Sequence, residues 1–70
     1  MKEQVLVEFG KRVRQERIKQ NLSQEELAEK AGVHRTYIGM IERAEKNITL
    51  TNIKKLANAL NIEIAGLFTD

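Results

Sequence analysis

Between Leu22 and Gly32 the segment LSQEELAEKAG marks both ends of one helix and leaves it only about two turns. Ser23-Gln24-Glu25-Glu26 is a capping box. The Ser hydroxyl accepts a hydrogen bond from a first-turn backbone N–H, and the glutamate three positions on reaches back to the Ser N–H. Leu22 and Leu27 stand where a hydrophobic staple belongs. Leu27, Ala28 and Ala31 form the inner side; Glu25, Glu26 and Glu29 face water. Gly32 then offers the left-handed backbone that ends a helix, without a steric penalty.

A second short helix follows, VHRTYIGMIER, from about Arg35 to Ala44. His34 falls at its N-cap, where Ser, Thr, Asp and Asn are the usual occupants. At about 100° per residue, Ile38 and Ile41 lie at the inner centre. Thr36, Gly39, Met40 and Arg43 lie opposite, with Arg35 at one edge and Tyr37 toward the other flank. This apolar stripe is narrow, and helices normally exist because a wide face is buried. Half of the helix is therefore expected to be covered from outside the chain. Ala28 is small where two helices cross closely, and Gly32 turns the chain between them. A helix held this way, with its outer face open, fits the major groove of B-DNA, about 12 Å wide.

The rest of the chain extends an all-α pattern. A first helix is predicted from about Glu3 to Gln20, with Leu6, Phe9, Val13 and Arg17 on one stripe; an arginine there is unusual. Glu45 to Ile48 read as a loop. Thr49 caps a helix from about Leu50 to Leu60, with Leu50, Ile53, Leu56, Ala57 and Leu60 inward. A short fifth helix, about Ile64 to Phe68, closes the core. The prediction is one five-helix domain over residues 1–70, with the two crossed helices at about 23–43. A chain of 70 residues buries only about 60 % of its unfolded surface, so self-association often helps.

Composition narrows the function classes. With no Cys there is no disulfide or thiolate metal site, and His34 is the single histidine, so no metal is expected. No Gly-rich phosphate loop and no nucleophile–base pair stand out, so neither an enzyme nor a cofactor is expected. No apolar run approaches the ~20 residues of a membrane span, and MKEQVLVEFG lacks signal-peptide features. A cytoplasmic location and no membrane or small-molecule partner follow as expectations. The net charge is only +2, but KRVRQERIKQ, residues 11–20, holds five bases against one acid. An anionic partner fits that patch; so does a solvated face.

The run RVRQERIKQNLSQEELAEKAGVHRTYIGMIERAEKNITLTNIKKLANALNI, Arg12 to Ile62, resembles the helix-turn-helix domain of the lambdoid phage repressor and Cro type, the Xre family. RTYIGMIER with KNITL further resembles the small controller proteins of restriction–modification systems. The resemblance implies a lambda-repressor-like fold and a role for each matching residue. Gln24 would bind a phosphate beside the recognition helix. Arg35 and Thr36 would touch base edges, and Tyr37 a backbone phosphate. Arg43, Lys46 and Asn47 would grip the backbone at the helix end and loop. Gly39 leaves no side chain where many relatives carry a polar reader. Met40 offers only apolar contact, suited to a thymine methyl, and His34, which replaces the commoner capping residues, is counted with the DNA-binding residues without a particular contact. The resemblance also makes Arg17 and Glu42 a partly buried ion pair between the first and third helices.

The residue chemistry agrees. Arg35 can donate two hydrogen bonds to guanine O6 and N7, a pair that discriminates by roughly 1–3 kcal/mol. Arg43 and Lys46 supply charge whose effect falls with salt. Ile62, Ile64, Leu67 and Phe68 are read as shared between the core and a two-fold dimer seam. Two copies would then present recognition helices about 34 Å apart to a near-palindrome in double-stranded DNA. The expected function is a homodimeric, sequence-specific transcription regulator. The alternative is an antitoxin, or a phage or plasmid repressor, whose DNA-binding domain also binds a protein.

Overall fold

The computed structural model describes residues 3–68; residues 1, 2, 69 and 70 of the single domain expected from the sequence lie outside the described residues. It contains helices α1 (Gln4–Lys19), α2 (Gln24–Ala31), α3 (Arg35–Glu42) and α4 (Leu50–Leu60), then a 3-10 turn at Ile64–Leu67. The expected fifth α-helix is thus corrected to one 3-10 turn. Its bonds run from Gly66 N to Glu63 O (2.9 Å) and from Phe68 N to Ala65 O (3.0 Å), three residues back rather than four. No side chain caps it, and Gly66 sits inside it, a residue of poor helix propensity.

The four α-helices end alike. Each is followed by a residue in the left-handed region: Asn21, Gly32, Ala44 and Asn61, with φ of 58, 72, 59 and 57°. Each is then closed by a backbone bond reaching five residues back. These are Leu22 N to Arg17 O, Val33 N to Ala28 O, Glu45 N to Met40 O and Ile62 N to Ala57 O, at 2.8–3.0 Å. Asn and Gly accept this backbone readily; Ala44 does so at a cost of about 1 kcal/mol. Its burial against the domain holds it there. The starts of α2, α3 and α4 are fixed by side chains, while α1 begins at Glu3 without a side-chain cap. Ser23 and Glu26 form the reciprocal capping box, with bonds of 2.9 and 2.8 Å. Thr49 Oγ1 accepts from Asn52 N at 3.1 Å.

The core gathers Phe9 and Val13 of α1, Leu27, Ala28 and Ala31 of α2, Ile38 and Ile41 of α3, Leu56, Ala57 and Leu60 of α4, and Leu67. Leu50 departs from the sequence expectation: at the first position of α4 it lies beyond the edge of the core and is 72 % exposed. Three polar contacts finish the packing. Arg12 Nε donates to Gly66 O (2.9 Å), tying the 3-10 turn to α1, and Arg12 also pairs with the buried Glu16 at 3.5 Å. Gln20 Nε2 donates to Leu60 O (2.8 Å) at the open end of α4. Arg12 is therefore a fastening, not a solvated charge. Gly10 lets α1 lie against the end of α3. A Cβ there would stand 2.5 Å from Ile41 O and 2.9 Å from Glu42 O.

Candidate nucleic-acid interface

The inner side of α3 is sealed by Ile38 and Ile41, while His34, Arg35, Thr36 and Arg43 are exposed and Met40 is half-buried. The rest of the described chain does not cover that outer surface. What orients it is a polar network centred on Glu42. Arg17 Nε and Nη2 donate to the two carboxylate oxygens at 2.7 and 3.0 Å, and Arg17 Nη1 donates to Leu22 O at 2.8 Å. Gln24 Nε2 donates to the same Glu42 Oε1 at 3.1 Å. Three helices thus meet on one carboxylate, and Arg17 ties the α1–α2 turn to it. Arg17 and Glu42 side chains are only 12 % and 4 % exposed. The hydrogen bonds that Arg17 donates to Glu42 hold its guanidinium protonated still more firmly than usual, outweighing the opposing effect of burial.

Each residue singled out in the sequence can now be placed. Gln24 opens α2 beside α3 and is tied to Glu42. His34 is the N-cap of α3: its Nδ1 accepts from Thr36 N at 3.1 Å, which leaves Nε2 as the donor facing outward. Arg35 Nη1 lies 3.2 Å from Glu25 Oε2 in an exposed pair. Tyr37 is half-buried at the flank, and its hydroxyl accepts from Asn52 Nδ2 at 2.9 Å, a bond that does not use the hydroxyl's own hydrogen. Arg43 caps the C-terminal end of α3, with Nε 3.0 Å from Glu45 Oε1. Lys46 and Asn47 are exposed in the loop before α4. Gly39, read in the sequence as a position without a side chain, is not bare. It is buried beneath the ends of Arg43 and Gln24.

Sequence reasoning missed Glu25, Glu45 and Asn52 as partners of the surface side chains: Glu25 and Asn52 lie on other helices than Arg35 and Tyr37, and Glu45 follows Arg43 by two residues, a spacing that pairs no side chains within a helix. The apolar C-terminal group divides. Leu67 is 1 % exposed and belongs wholly to the monomer's core, which corrects its place among the seam residues. Ile62 and Ile64 are half-buried against the core. Phe68 is 51 % exposed and stacks on Phe9, with ring centres 5.2 Å apart. Among the described residues no group of His, Asp or Glu could hold a metal, and no helix is long and apolar enough to cross a membrane.

A capped helix, a left-handed glycine turn and a second helix with a covered inside and a bare outside define a helix-turn-helix domain. The comparisons agree: the chain belongs to the helix-turn-helix family whose model matches residues 13–67. It is 51 % identical over 61 residues to control protein C.SmaI of Serratia marcescens, covering 87 % of this chain and 73 % of that one. It superposes on the restriction–modification controller protein C.AhdI from Aeromonas hydrophila with a TM-score of 0.89 at 51 % identity, covering 90 % and 96 % of the two chains. It also superposes on the biofilm master regulator SinR, solved in complex with DNA, with a TM-score of 0.82 at 34 % identity and coverages of 87 % and 98 %.

Proposed function

We propose that this chain is a DNA-binding transcription regulator of the restriction–modification controller type, not an enzyme, and that it acts as a homodimer on a near-palindromic operator. The observation that carries the reading is the outer face of α3. It is left bare by a domain too small to waste apolar surface, and it is edged by polar side chains from α2 and the following loop. In this reading α3 enters the major groove, with Arg35 on a guanine edge, Thr36 and Met40 beside it, and His34 Nε2 available to an acceptor. Gln24, Tyr37, Arg43, Lys46 and Asn47 hold backbone phosphates on either side. Phosphate contacts set the register and base contacts set the sequence. The likeness to controller proteins supports the regulatory role, and SinR's complex supports DNA as the partner. Exposed Phe68 and the half-buried Ile62 and Ile64 leave apolar surface near the C-terminal end of the described chain, which supports a dimer seam there.

The test is selection from random-sequence duplexes, followed by gel shift with Arg35→Ala. Wild type should enrich one site with two related half-sites. Arg35→Ala should lose about 1–3 kcal/mol of discrimination at one base pair per half-site. Its fold should be intact, because an exposed ion pair contributes only about 0–1 kcal/mol. No enriched sequence, or a variant that binds the selected site unchanged, would refute the reading.

A further inference from the structure

We propose that Asn52 is a positioning residue for DNA binding: it aims the hydroxyl hydrogen of Tyr37 at a backbone phosphate. The inference rests on the DNA-binding reading above. Asn52 is the third residue of α4, and its backbone N–H donates to Thr49 Oγ1 at 3.1 Å. At this position of a capped helix a polar side chain commonly turns back to the cap residue. Glu26 does so in α2, where it accepts from Ser23 N at 2.8 Å. Asn52 gives its side chain to α3 instead. Its Nδ2 donates to the Tyr37 hydroxyl at 2.9 Å, across a separation of 15 residues.

A donor on one side of a phenol oxygen decides where the phenol's own hydrogen goes. The hydroxyl has one hydrogen and two lone pairs. Conjugation keeps that hydrogen near the ring plane, which leaves it two positions. Turned toward Asn52 it would set donor against donor, so it is held at the position away from Asn52. The ring is held as well, since Tyr37 is half-buried and packed against the core. Thr36, next to it in α3, and Thr49, at the start of α4, are exposed, so the flank between the two helices is open. A phosphate oxygen, which only accepts, is the complement of a hydroxyl committed to donating, and a bond to a charged acceptor is a strong one. Asn52 acts through Tyr37 and touches no DNA itself.

Tyr37→Phe and Asn52→Asp, singly and together, test this. Aspartate keeps the size of asparagine and the backbone N–H that Thr49 caps, but its carboxylate only accepts, so it draws the Tyr37 hydrogen inward. A negative charge in the first turn of a helix is favourable, so the domain should melt at an equal or higher temperature. Affinity is measured at low salt, well below the midpoint of the least stable variant, for a mixed-sequence duplex and for the duplex that wild type enriches. Tyr37→Phe alone should weaken both by a similar factor, about tenfold. It should leave the slope of log affinity against log salt unchanged, because no charge is removed. Asn52→Asp should weaken both through repulsion and through the turned hydrogen, and in that background Tyr37→Phe should change nothing further. An equal Tyr37→Phe loss in both backgrounds would overturn the proposal, since Asn52 would not be aiming the hydroxyl. No Tyr37→Phe loss in either would overturn it as well, by placing the hydroxyl hydrogen away from DNA. A loss confined to the enriched duplex would overturn it too, by making Tyr37 a base reader. Failure of wild type to bind either duplex would remove the DNA-binding reading along with it, and is seen before any variant is made.

Discussion

Glu42→Gln isolates the network on which α1, α2 and α3 meet. It keeps the size of the side chain and removes the charge that Arg17 faces at 2.7 and 3.0 Å. With 12 % and 4 % of the two side chains exposed, the pair is well withdrawn from water. Removing one partner of a buried pair costs about 3–5 kcal/mol, because the other charge stays behind. Arg17 keeps its bond to Leu22 O at 2.8 Å, and glutamine still offers one oxygen. The cost therefore falls at the lower end, about 3 kcal/mol. At roughly 0.05–0.15 kcal/mol per residue a domain of this size holds only about 4–10 kcal/mol, so the loss is a third or more of the whole. The thermal midpoint should fall by about 12–24 °C.

Urea denaturation followed by far-ultraviolet circular dichroism reads this out: the midpoint drops while the slope is unchanged. The companion variant is Arg17→Met with Glu42→Leu. Exchanging a buried pair for apolar groups of similar volume is often neutral. The double variant should therefore lie within about 1 kcal/mol of wild type, the remaining loss being Leu22 O without its donor. If Glu42→Gln lies within about 0.5 kcal/mol of wild type, or if the double variant loses the sum of the two singles, the pair is not the coupled, buried unit described.

Two further outcomes concern the fold. Gly10→Ala should destabilise by several kcal/mol or abolish folding, since the obstruction is α3 backbone rather than a movable side chain, and a cooperative melt like that of wild type would show that α1 can slide away. The capping box gives a pH dependence. The Ser23 backbone N–H and hydroxyl hold the Glu26 carboxyl below its usual value near 4.5, so the unfolded chain takes up the proton first. This contribution is complete above about that pH and is lost as the pH falls through the lower folded-state value. Glu26→Gln should therefore flatten the fall of thermal midpoint between about pH 5 and pH 3, and an unchanged acid limb would show that the box does not set it.

The boundaries of α2 were legible because their causes are local: the Ser23–Glu26 box and Gly32 lie within one short segment, as does the Thr49 cap. The ion pair left a trace only as an arginine on an apolar stripe, and finding its partner 25 positions away needed the family pattern. Gly10 left no trace, since a glycine in a helix reads as a weak point until another backbone is seen against it. Gly39 was visible as a missing side chain, but what fills the gap depends on which way Arg43 folds, and no periodicity encodes that. The last element was overread. Ile64, Leu67 and Phe68 match a helical stripe, yet four residues containing a glycine and lacking a side-chain cap reach only one 3-10 turn.

Glu42 joins stability to recognition in one group. Its Oε1 accepts from Arg17, which belongs to the core framework, and from Gln24, which belongs to the outer face, so the face is set by the same bonds that hold the helices. The remaining carboxylates act differently. Arg35 and Arg43 each stand beside an exposed acid, Glu25 at 3.2 Å and Glu45 at 3.0 Å. Sequence-independent attraction scales with the number of phosphates neutralised, so each acid weakens it. A bidentate bond to a base edge depends on direction, and an arginine already pointed by a carboxylate loses less freedom in making it. Exposed pairs of this kind contribute only about 0–1 kcal/mol, so they rearrange at little cost when a groove closes over them. A net charge of +2 is then no argument against DNA. For a regulator searching among many wrong sites the ratio of right to wrong binding counts, and in the proposed reading, where Arg35 meets a base edge, pairing it with Glu25 lowers the wrong binding more than the right.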